Sequence, residues 1–444
     1  MTDCSTQLVF SETVCRPVVV DFEGGNLTSD AGTLLLRQVD ERLGLTAGLA
    51  ACLVDLRDPE KVEHLRIEQV RQRVYQIAMG YEDCDDADSL RGDPAFKLAV
   101  GRLPESQPHL SSQPTLSRFE NAATDRELRR LNRALLGTYL DTRPTPGRRI
   151  VIDIDSTDDP THGQQAFSFY NGFYRQHMFH PLLCFDGESG HLLAAMLRPG
   201  KAHAANGVLK MVKRIVKQIR KRWPKVEIVI RADAGFCVRR LYRFCEQRAL
   251  GYVIGLITNE TLKSLHAPLL AEAEARYGQT QTKARLLGEV GYRAGPWKRF
   301  RRVIMKAEVM AKGGNRRFVV TNLEGEPEAL YDFYVGRGDA ENRIKDLKNA
   351  LLADRLSCSS FAANAFRLLL HSAAYVLMHA LRGHLQGTEL ATAQFDTIRL
   401  RLLKVGARVR QSVRRVLVQA ASAYPDKHLW TLLHARLGIA PAPG

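Results

Sequence analysis

Two apolar segments in the middle of the chain, each ending in aspartate, constrain the fold more than any other feature. Residues 148–157 read RRIVIDIDST and residues 225–236 read KVEIVIRADAGF. Such β-branched runs are typical of buried strands. Two strand patterns near 177–197 and an amphipathic helix at 206–223 lie between them, and a helix and a further strand follow. The order β-β-β-α-β-α-β predicts a mixed sheet with helices on its faces.

The first 147 residues are predicted to be mainly helical. Leu35, Val39 and Leu43 recur at four-residue spacing, and residues 62–83 repeat such an apolar stripe between basic positions. The proline- and glycine-containing stretch DTRPTPGRR at 141–149 is typical of a linker. By contrast, residues 258–330 suggest several short strands, which predicts a β-rich insertion after the first strands of the sheet.

The net charge of +16 points to a nucleic-acid partner, because lysine and arginine neutralise phosphates. A generic basic protein remains the plain alternative. The eight cysteines form no C-x-x-C pair, which argues against a zinc ribbon or a disulfide framework. The N-terminus does not look like a signal peptide, and no stretch approaches the roughly 18 uninterrupted apolar residues that a membrane helix needs. We therefore expect a cytoplasmic protein that does not bind membranes.

The aspartates at the two strand ends predict a metal site. If the two strands are neighbours, Asp155 and Asp233 lie at the same edge of the sheet, where ligands of open α/β sheets gather. Two adjacent carboxylates repel each other, and a hard divalent cation such as Mg²⁺ or Mn²⁺ removes that repulsion. Asp153 is the rival for the first position, since it lies on the same face of the strand. We prefer Asp155, at the strand exit, and assign Asp153 a supporting role behind the metal ligands.

A third acid stands in the charged stretch YVGRGDAENRIKDLK. On a helical wheel, Tyr334, Arg337, Glu341, Lys345 and Lys348 fall within roughly 80° of arc. One acid flanked by three bases and a tyrosine on one face favours a reactive or DNA-contacting surface over a simple solvated stripe. Gly336 and Gly338 weaken the first helical turn.

Together these residues resemble a known family. Tyr334, Arg337, Glu341 and Lys348 match the pattern Y-(2)-R-(3)-E-(6)-K, the signature of bacterial insertion-sequence DDE transposases. The segments DIDSTDDPTHGQQ, FYNGFY, HPLLCF, RPG, RADAGF and SQPTLSRFEN are similar to the thirteen-eighty family of insertion sequences. The resemblance extends from roughly residue 20 to residue 420.

The resemblance implies a ribonuclease-H-like catalytic fold in which Asp155, Asp233 and Glu341 are the catalytic, metal-binding triad for two Mg²⁺ or Mn²⁺ ions. It also implies cut-and-paste transposition, in which a homodimer bound to the terminal inverted repeats cleaves DNA and transfers it to target DNA, within the bacterial nucleoid. Tyr334, Arg337, Lys345 and Lys348 would contact DNA. The expected division is 1–147, a helical DNA-end-binding region; 148–257 and 331–385, the catalytic core; 258–330, the insertion; and 386–444, a basic C-terminal region.

Three alternatives remain open at this stage. A host nuclease of the same fold would cut DNA without joining it, and a domesticated repressor would bind DNA without cutting it. A zinc enzyme is a weaker option, because His162, His177, His180, His191 and His203 form no H-E-x-x-H motif.

Trp297 is a further candidate for DNA contact. It follows a Gly-Pro turn and precedes several bases in the insertion. In relatives with this architecture, a tryptophan of the insertion stacks on a flipped base, which gives Trp297 the same expected role. The plain alternative is that Trp297 packs beneath the basic ribbon.

Overall fold

The computed structural model describes residues 7–10 and 18–438. In these residues the strands β1 to β16 are Leu8–Phe10, Val18–Val20, Leu27–Thr28, Arg149–Ser156, Asp159–Pro160, Phe169–Asn171, Gln176–Phe179, Leu182–Asp186, Leu192–Met196, Glu227–Ala232, Gly251–Leu256, Ala284–Tyr292, Arg301–Met310, Gly313–Thr321, Ala407–Gln411 and Val416–Ala420. The helices α1 to α15 are Thr33–Leu43, Leu45–Ala50, Arg66–Ala78, Asp86–Leu90, Pro94–Val100, Gln113–Asn121, Asp125–Thr142, Val208–Arg222, Arg239–Gln247, Glu260–Thr280, Pro327–Val335, Asp339–Lys345, Phe361–Gly383, Phe395–Ile398 and Lys427–Arg436.

The chain divides into two compact units. The terminal unit comprises Met1–Phe119 and Ala380–Gly444, and the central unit comprises Glu120–His379. The expected boundary near residue 147 therefore falls inside the central unit. The physical reason is that α7 packs on β9, where the side chain of Asn132 accepts a hydrogen bond from the Ala195 N–H at 3.1 Å.

The terminal unit contains the short helices α1 to α5 and a small sheet. β15 pairs with β16 in an antiparallel hairpin, the strand pair suggested by the alternating bases and aliphatics of the C-terminal region. β3 adds a third antiparallel strand through Ala407 and Thr28, so N-terminal and C-terminal segments share one sheet.

The central unit is built on an eight-stranded sheet with the order β12-β13-β14-β11-β10-β4-β8-β9. β10 runs parallel to both β4 and β11, and the other neighbouring pairs are antiparallel. This arrangement confirms the mixed α/β sheet that the order of the segments predicts.

The segment 258–330 differs from the expected β-rich insertion. It begins with the 21-residue helix α10. Asn259 caps the start of this helix, because its side-chain oxygen accepts a hydrogen bond from the Leu262 N–H at 3.0 Å. The expectation overlooked that this stretch is rich in the good helix formers leucine, alanine and glutamate. Strands β12 to β14 then extend the main sheet, because β14 pairs directly with β11. The segment is therefore continuous with the core and not a separate layer of strands.

Two apolar layers cover the faces of the sheet. On one face α8 packs with Ile150, Ile152 and Ile154 of β4, in a large core of buried residues. On the other face α11 packs against Val253, Ile304 and Val319 through Leu330 and Tyr331. The even-numbered residues of β4 thus belong to the α8 face, which leaves Asp153 and Asp155 on the α11 face.

Helix α13 is long and apolar enough to cross a membrane by length and composition, but 83% of its most apolar window is buried inside the protein. Among the described residues it is the one helix that passes this test. Its burial is that of a core helix.

Candidate active site

The two strand-end aspartates lie next to each other. Ile154 of β4 is opposite Ala232 of β10 in the parallel register, so the residues that follow them, Asp155 and Asp233, lie side by side at the carboxyl ends of these two strands. The Asp155 carboxylate accepts the Ser156 N–H at 2.8 Å, and the Asp233 carboxylate accepts the Gly235 N–H at 2.9 Å. These bonds orient each carboxylate at the carboxyl edge of the sheet, as the sequence predicted.

Glu341 approaches this pair from α12. The pKa of the Asp155 carboxyl is raised to about 6, mainly by burial and also by the negative charges of Asp233 and Glu341, against the opposing effects of the Ser156 N–H and Arg337. The Glu341 carboxylate is 3.6 Å from the Arg337 guanidinium, and its side chain is 56% exposed. The three carboxylates are therefore near enough to interact, but they do not gather within 4.8 Å of one another.

Arg337 and Tyr334 complete the surroundings of the acids. The Arg337 guanidinium lies 5.7 Å from the centre of the Tyr334 ring. Burial disfavours the charge of Arg337, but Tyr334 and the carboxylates of Asp155 and Asp233 outweigh that effect and raise its pKa. A small recess of about 220 Å³ opens beside both residues. The guanidinium is thus a fixed positive charge at the edge of an acidic site.

Gly255 in β11 allows the tyrosine to approach the Asp233 turn. A Cβ atom at Gly255 would lie 2.8 Å from the Tyr334 hydroxyl oxygen and 2.7 Å from the Ala234 nitrogen. Both distances are too short for an ordinary contact. The glycine therefore fixes the spacing between the strand end that bears Asp233 and the helix that bears Tyr334.

Replacing Gly255 by alanine is expected to impair catalysis. The methyl group has to displace the Asp233 turn or Tyr334, and a shift of about 1 Å at a catalytic group can slow a reaction about 100-fold. The measurement is the rate of DNA cleavage, with melting temperature recorded in parallel. Gly288→Ala in β12 is the matched control, because its Cβ would meet Leu269 at an ordinary 3.4 Å. Equal cleavage rates for the two variants would contradict this role of Gly255.

Asp153 is engaged in a buried ion-pair cluster. Its carboxylate is 1% exposed and accepts two hydrogen bonds from Arg231, at 2.6 and 2.8 Å, and one from Arg343 at 3.2 Å. Arg231 also donates to the Phe333 carbonyl at 2.7 Å, and Arg343 donates to the Gly187 carbonyl at 2.9 Å. The cluster joins β4 and β10 to α11 and α12. Asp153 therefore connects to the site through the helix that bears Glu341.

The two lysines of the signature segment differ in their surroundings. The Lys348 ammonium donates to a carboxylate oxygen and to the carbonyl oxygen of Asp158, each at 2.9 Å. Lys345 is exposed at the end of α12. Lys348 thus stabilises the loop that follows Asp155, whereas Lys345 presents its charge to solvent.

Trp297 is a core residue in this structure. Only 6% of it is exposed, and its ring makes edge contacts with Tyr242 and Tyr292 at centroid distances of 5.5 and 5.7 Å. The Arg301 guanidinium lies 4.8 Å from the ring centre. The neighbouring Gly-Pro turn and basic residues led us to expect that Trp297 stacks on a flipped nucleobase. The structure does not support this role, because the ring is already surrounded by protein. The packing alternative describes its position.

Tyr174 is a site residue that the sequence reasoning missed. It lies in the turn of the β6–β7 hairpin, between Asn171 and Gln176, which are paired across the strands. The pKa of its hydroxyl is raised to about 12, mainly by burial and also by the nearby carboxylates of Asp158, Asp155 and Asp233. Gln176 anchors the hairpin by donating to the Asp158 carboxylate at 2.9 Å. The signal was present in the segment FYNGFY, which had no role assigned to it.

The histidines named as zinc candidates do not cluster in a metal-binding group. Among the described residues, the group of His, Cys, Asp and Glu close enough to share an ion is Glu389, Asp426 and His428 in the terminal unit. Both acids of that group are already paired with the Arg401 guanidinium. This is an ion-pair network, and it does not revive the zinc alternative.

The comparison with protein families agrees with the DDE transposase resemblance. The family profile described as transposase DDE domain, group 1, matches residues 10–442. No curated protein matches the chain. A similar solved structure is the cryo-EM structure of the piggyBac transposase synaptic complex with hairpin DNA, at 11% identity and a TM-score of 0.41, covering 94% of this chain and 83% of that chain. DDE transposases generally use divalent metal ions. The profile match spans nearly the whole sequence, and the chain therefore belongs to the transposase DDE domain group 1 family.

Proposed function

We propose that this transposase binds the terminal inverted repeats of an insertion sequence of the thirteen-eighty family and moves it by cut-and-paste transposition. Asp155, Asp233 and Glu341 are its catalytic residues in this proposal. The observation that carries it is the adjacent pair of strand-end aspartates, which Glu341 and Arg337 approach from one helical segment. A ribonuclease-H-like core, a homodimer on paired DNA ends and a place at the bacterial nucleoid belong to the same proposal.

The donor set fits divalent cations. Three carboxylates supply the hard oxygen ligands that Mg²⁺ and Mn²⁺ prefer. Burial and mutual repulsion already raise the pKa of Asp155 to about 6, so the site favours a positive charge near it. Asp155, Asp233 and Glu341 would hold two such ions. When bound, two metals support in-line phosphodiester displacement by stabilising the attacking and leaving oxygens.

The remaining residues orient DNA around these acids. Arg337 places a guanidinium beside them, where it can form paired hydrogen bonds with a phosphate. The Tyr334 hydroxyl, fixed against Gly255, and the Tyr174 hydroxyl are donors at the same edge of the sheet. Lys348 acts indirectly in this account, by securing Asp158 three residues after Asp155.

The two lysines should affect DNA binding differently. We expect Lys345→Ala to lower the slope of log affinity against log salt by roughly 0.9, the effect of losing one phosphate contact on B-DNA. Lys348→Ala should leave the slope nearly unchanged, because Asp158 already neutralises that ammonium. The measurement is binding to transposon-end duplex across a range of KCl concentrations in EDTA, which prevents cleavage. A larger slope change for Lys348→Ala would contradict the proposed division of roles.

A joining assay separates transposition from its alternatives. The substrate is a duplex that carries the inverted repeats flanking the gene, mixed with a supercoiled target plasmid and Mg²⁺. We expect cleavage at the repeat ends and insertion of the cut ends into the plasmid, with no reaction on scrambled ends. Cleavage without insertion would favour the nuclease. Binding without cleavage would favour the repressor.

A further inference from the structure

A strongly basic cleft lies on the central unit away from the catalytic acids. Its volume is about 940 Å³, and it runs between α7 and α8 above β9. The floor is apolar and includes Leu193 and Met211. Arginine and lysine side chains form both walls, and those used below are Arg126, Arg129 and Arg133 of α7 and Arg214, Lys217 and Lys221 of α8.

The spacing of these bases turns both rows toward the cleft. In α7 they recur at intervals of three and four residues, which places them on one helical face, and α8 repeats the pattern. All six side chains are exposed. None of the residues that line the cleft is acidic, so no carboxylate in the cleft competes for this charge. The cleft therefore concentrates positive charge that no acidic lining residue neutralises.

We infer that the cleft binds the phosphate backbone of duplex DNA without regard to sequence. The first and last basic residues of each row are seven positions apart, or about 10 Å at 1.5 Å per residue. Over that length one DNA strand presents about three phosphates. None of the lining residues is aromatic, so the cleft offers no surface on which unpaired bases would stack. Contacts from basic side chains on both walls to phosphate groups favour a duplex over a single strand.

The position of the cleft makes this a second DNA site. α8 covers the face of the sheet to which Ile150, Ile152 and Ile154 point. Asp155 points to the opposite face, where α12 supplies Glu341. DNA held between α7 and α8 is therefore separated by the sheet from the face that carries the catalytic acids. We assign the cleft the role of holding a further stretch of donor or target DNA, and this role rests on the function proposed above.

The test compares two triple variants that remove equal charge. The cleft variant combines Arg129→Gln, Arg133→Gln and Lys217→Gln, which remove three basic side chains from the cleft. Arg248→Gln, Lys312→Gln and Arg316→Gln remove three exposed bases elsewhere on the central unit. Binding to a fluorescent duplex of random sequence is measured by anisotropy from 50 to 300 mM KCl in EDTA, at concentrations chosen to resolve the slope. Melting curves establish that each variant is folded.

We expect the cleft triple to lower the salt slope by about 2.7, three contacts at roughly 0.9 each, and the control triple to leave it close to the unsubstituted protein. Equal slopes for the two triples would overturn the proposal, because the effect would then belong to overall charge alone. A cleft triple that binds random duplex normally would also overturn it. The assay contains no metal and no transposon ends, so loss of the proposed cleavage activity cannot produce either result.

Discussion

Asp155→Ala, Asp233→Ala and Glu341→Ala are each expected to abolish DNA cleavage while leaving DNA binding largely intact. Loss of one carboxylate from a metal cage removes several kcal/mol of transition-state stabilisation, at least about 1000-fold in rate. DNA affinity comes instead from lysine and arginine side chains distributed over other surfaces of the protein. The measurement is the single-turnover cleavage rate of a transposon-end duplex in Mg²⁺, alongside its binding affinity in EDTA.

Asp339→Ala is the matched control for this series. Asp339 is an exposed acid on the same helix as Glu341, two residues before it. We expect the control to cleave at the rate of the unsubstituted protein. Cleavage at that rate by any of the three carboxylate variants would remove that residue from the proposed catalytic set.

Asp153→Ala is expected to unfold or strongly destabilise the protein. The substitution leaves the buried guanidinium of Arg231 without its bidentate partner and deprives Arg343 of a carboxylate contact. Removing one partner of a buried ion pair typically costs about 3–5 kcal/mol. The measurement is the free energy of unfolding from urea titration, and loss of cleavage should follow the loss of folded protein.

Asp155→Ala should shift stability in the opposite direction. The folded-state pKa of Asp155 is raised from the ordinary 3.8 to about 6, so its ionisation costs stability progressively as the pH rises between these two values, and the full cost is present above pH 6. At pH 7.5 and without metal, removing this carboxylate should leave the melting temperature unchanged or raise it. If both aspartate variants lowered stability equally, the distinction between a buried structural acid and an active-site acid would be wrong.

The segment order was enough to predict the sheet and the adjacency of Asp155 and Asp233. β-branched runs separated by an amphipathic helix leave few ways to arrange the strands, and β4 and β10 are parallel neighbours. The choice between Asp153 and Asp155 needed coordinates, because both side chains point to one face. What separates them is Arg231, which lies opposite Asp153 in the register and occupies its carboxylate.

Other features depended on contacts between residues distant in sequence. Trp297 stands among bases in the chain, yet Tyr242 and Tyr292 enclose it in the fold. Lys348 fits the DNA-contact pattern of the signature, but its partner Asp158 comes from a loop 190 residues earlier. Helix α10 was predictable in principle from its composition and its Asn259 cap, and was missed because the flanking strands dominated the pattern.

Substituting a proposed metal ligand by cysteine tests the central assignment most directly. A thiolate is a soft ligand that suits Mg²⁺ poorly and transition metals better. The measurement is cleavage of the transposon-end duplex by Asp155→Cys and Asp233→Cys in Mg²⁺ and in Mn²⁺, with the unsubstituted protein in both. The account predicts that both variants are inactive in Mg²⁺ and regain cleavage in Mn²⁺, because these two side chains bind the metal directly. Cleavage by either variant in Mg²⁺ at the rate of the unsubstituted protein would contradict it.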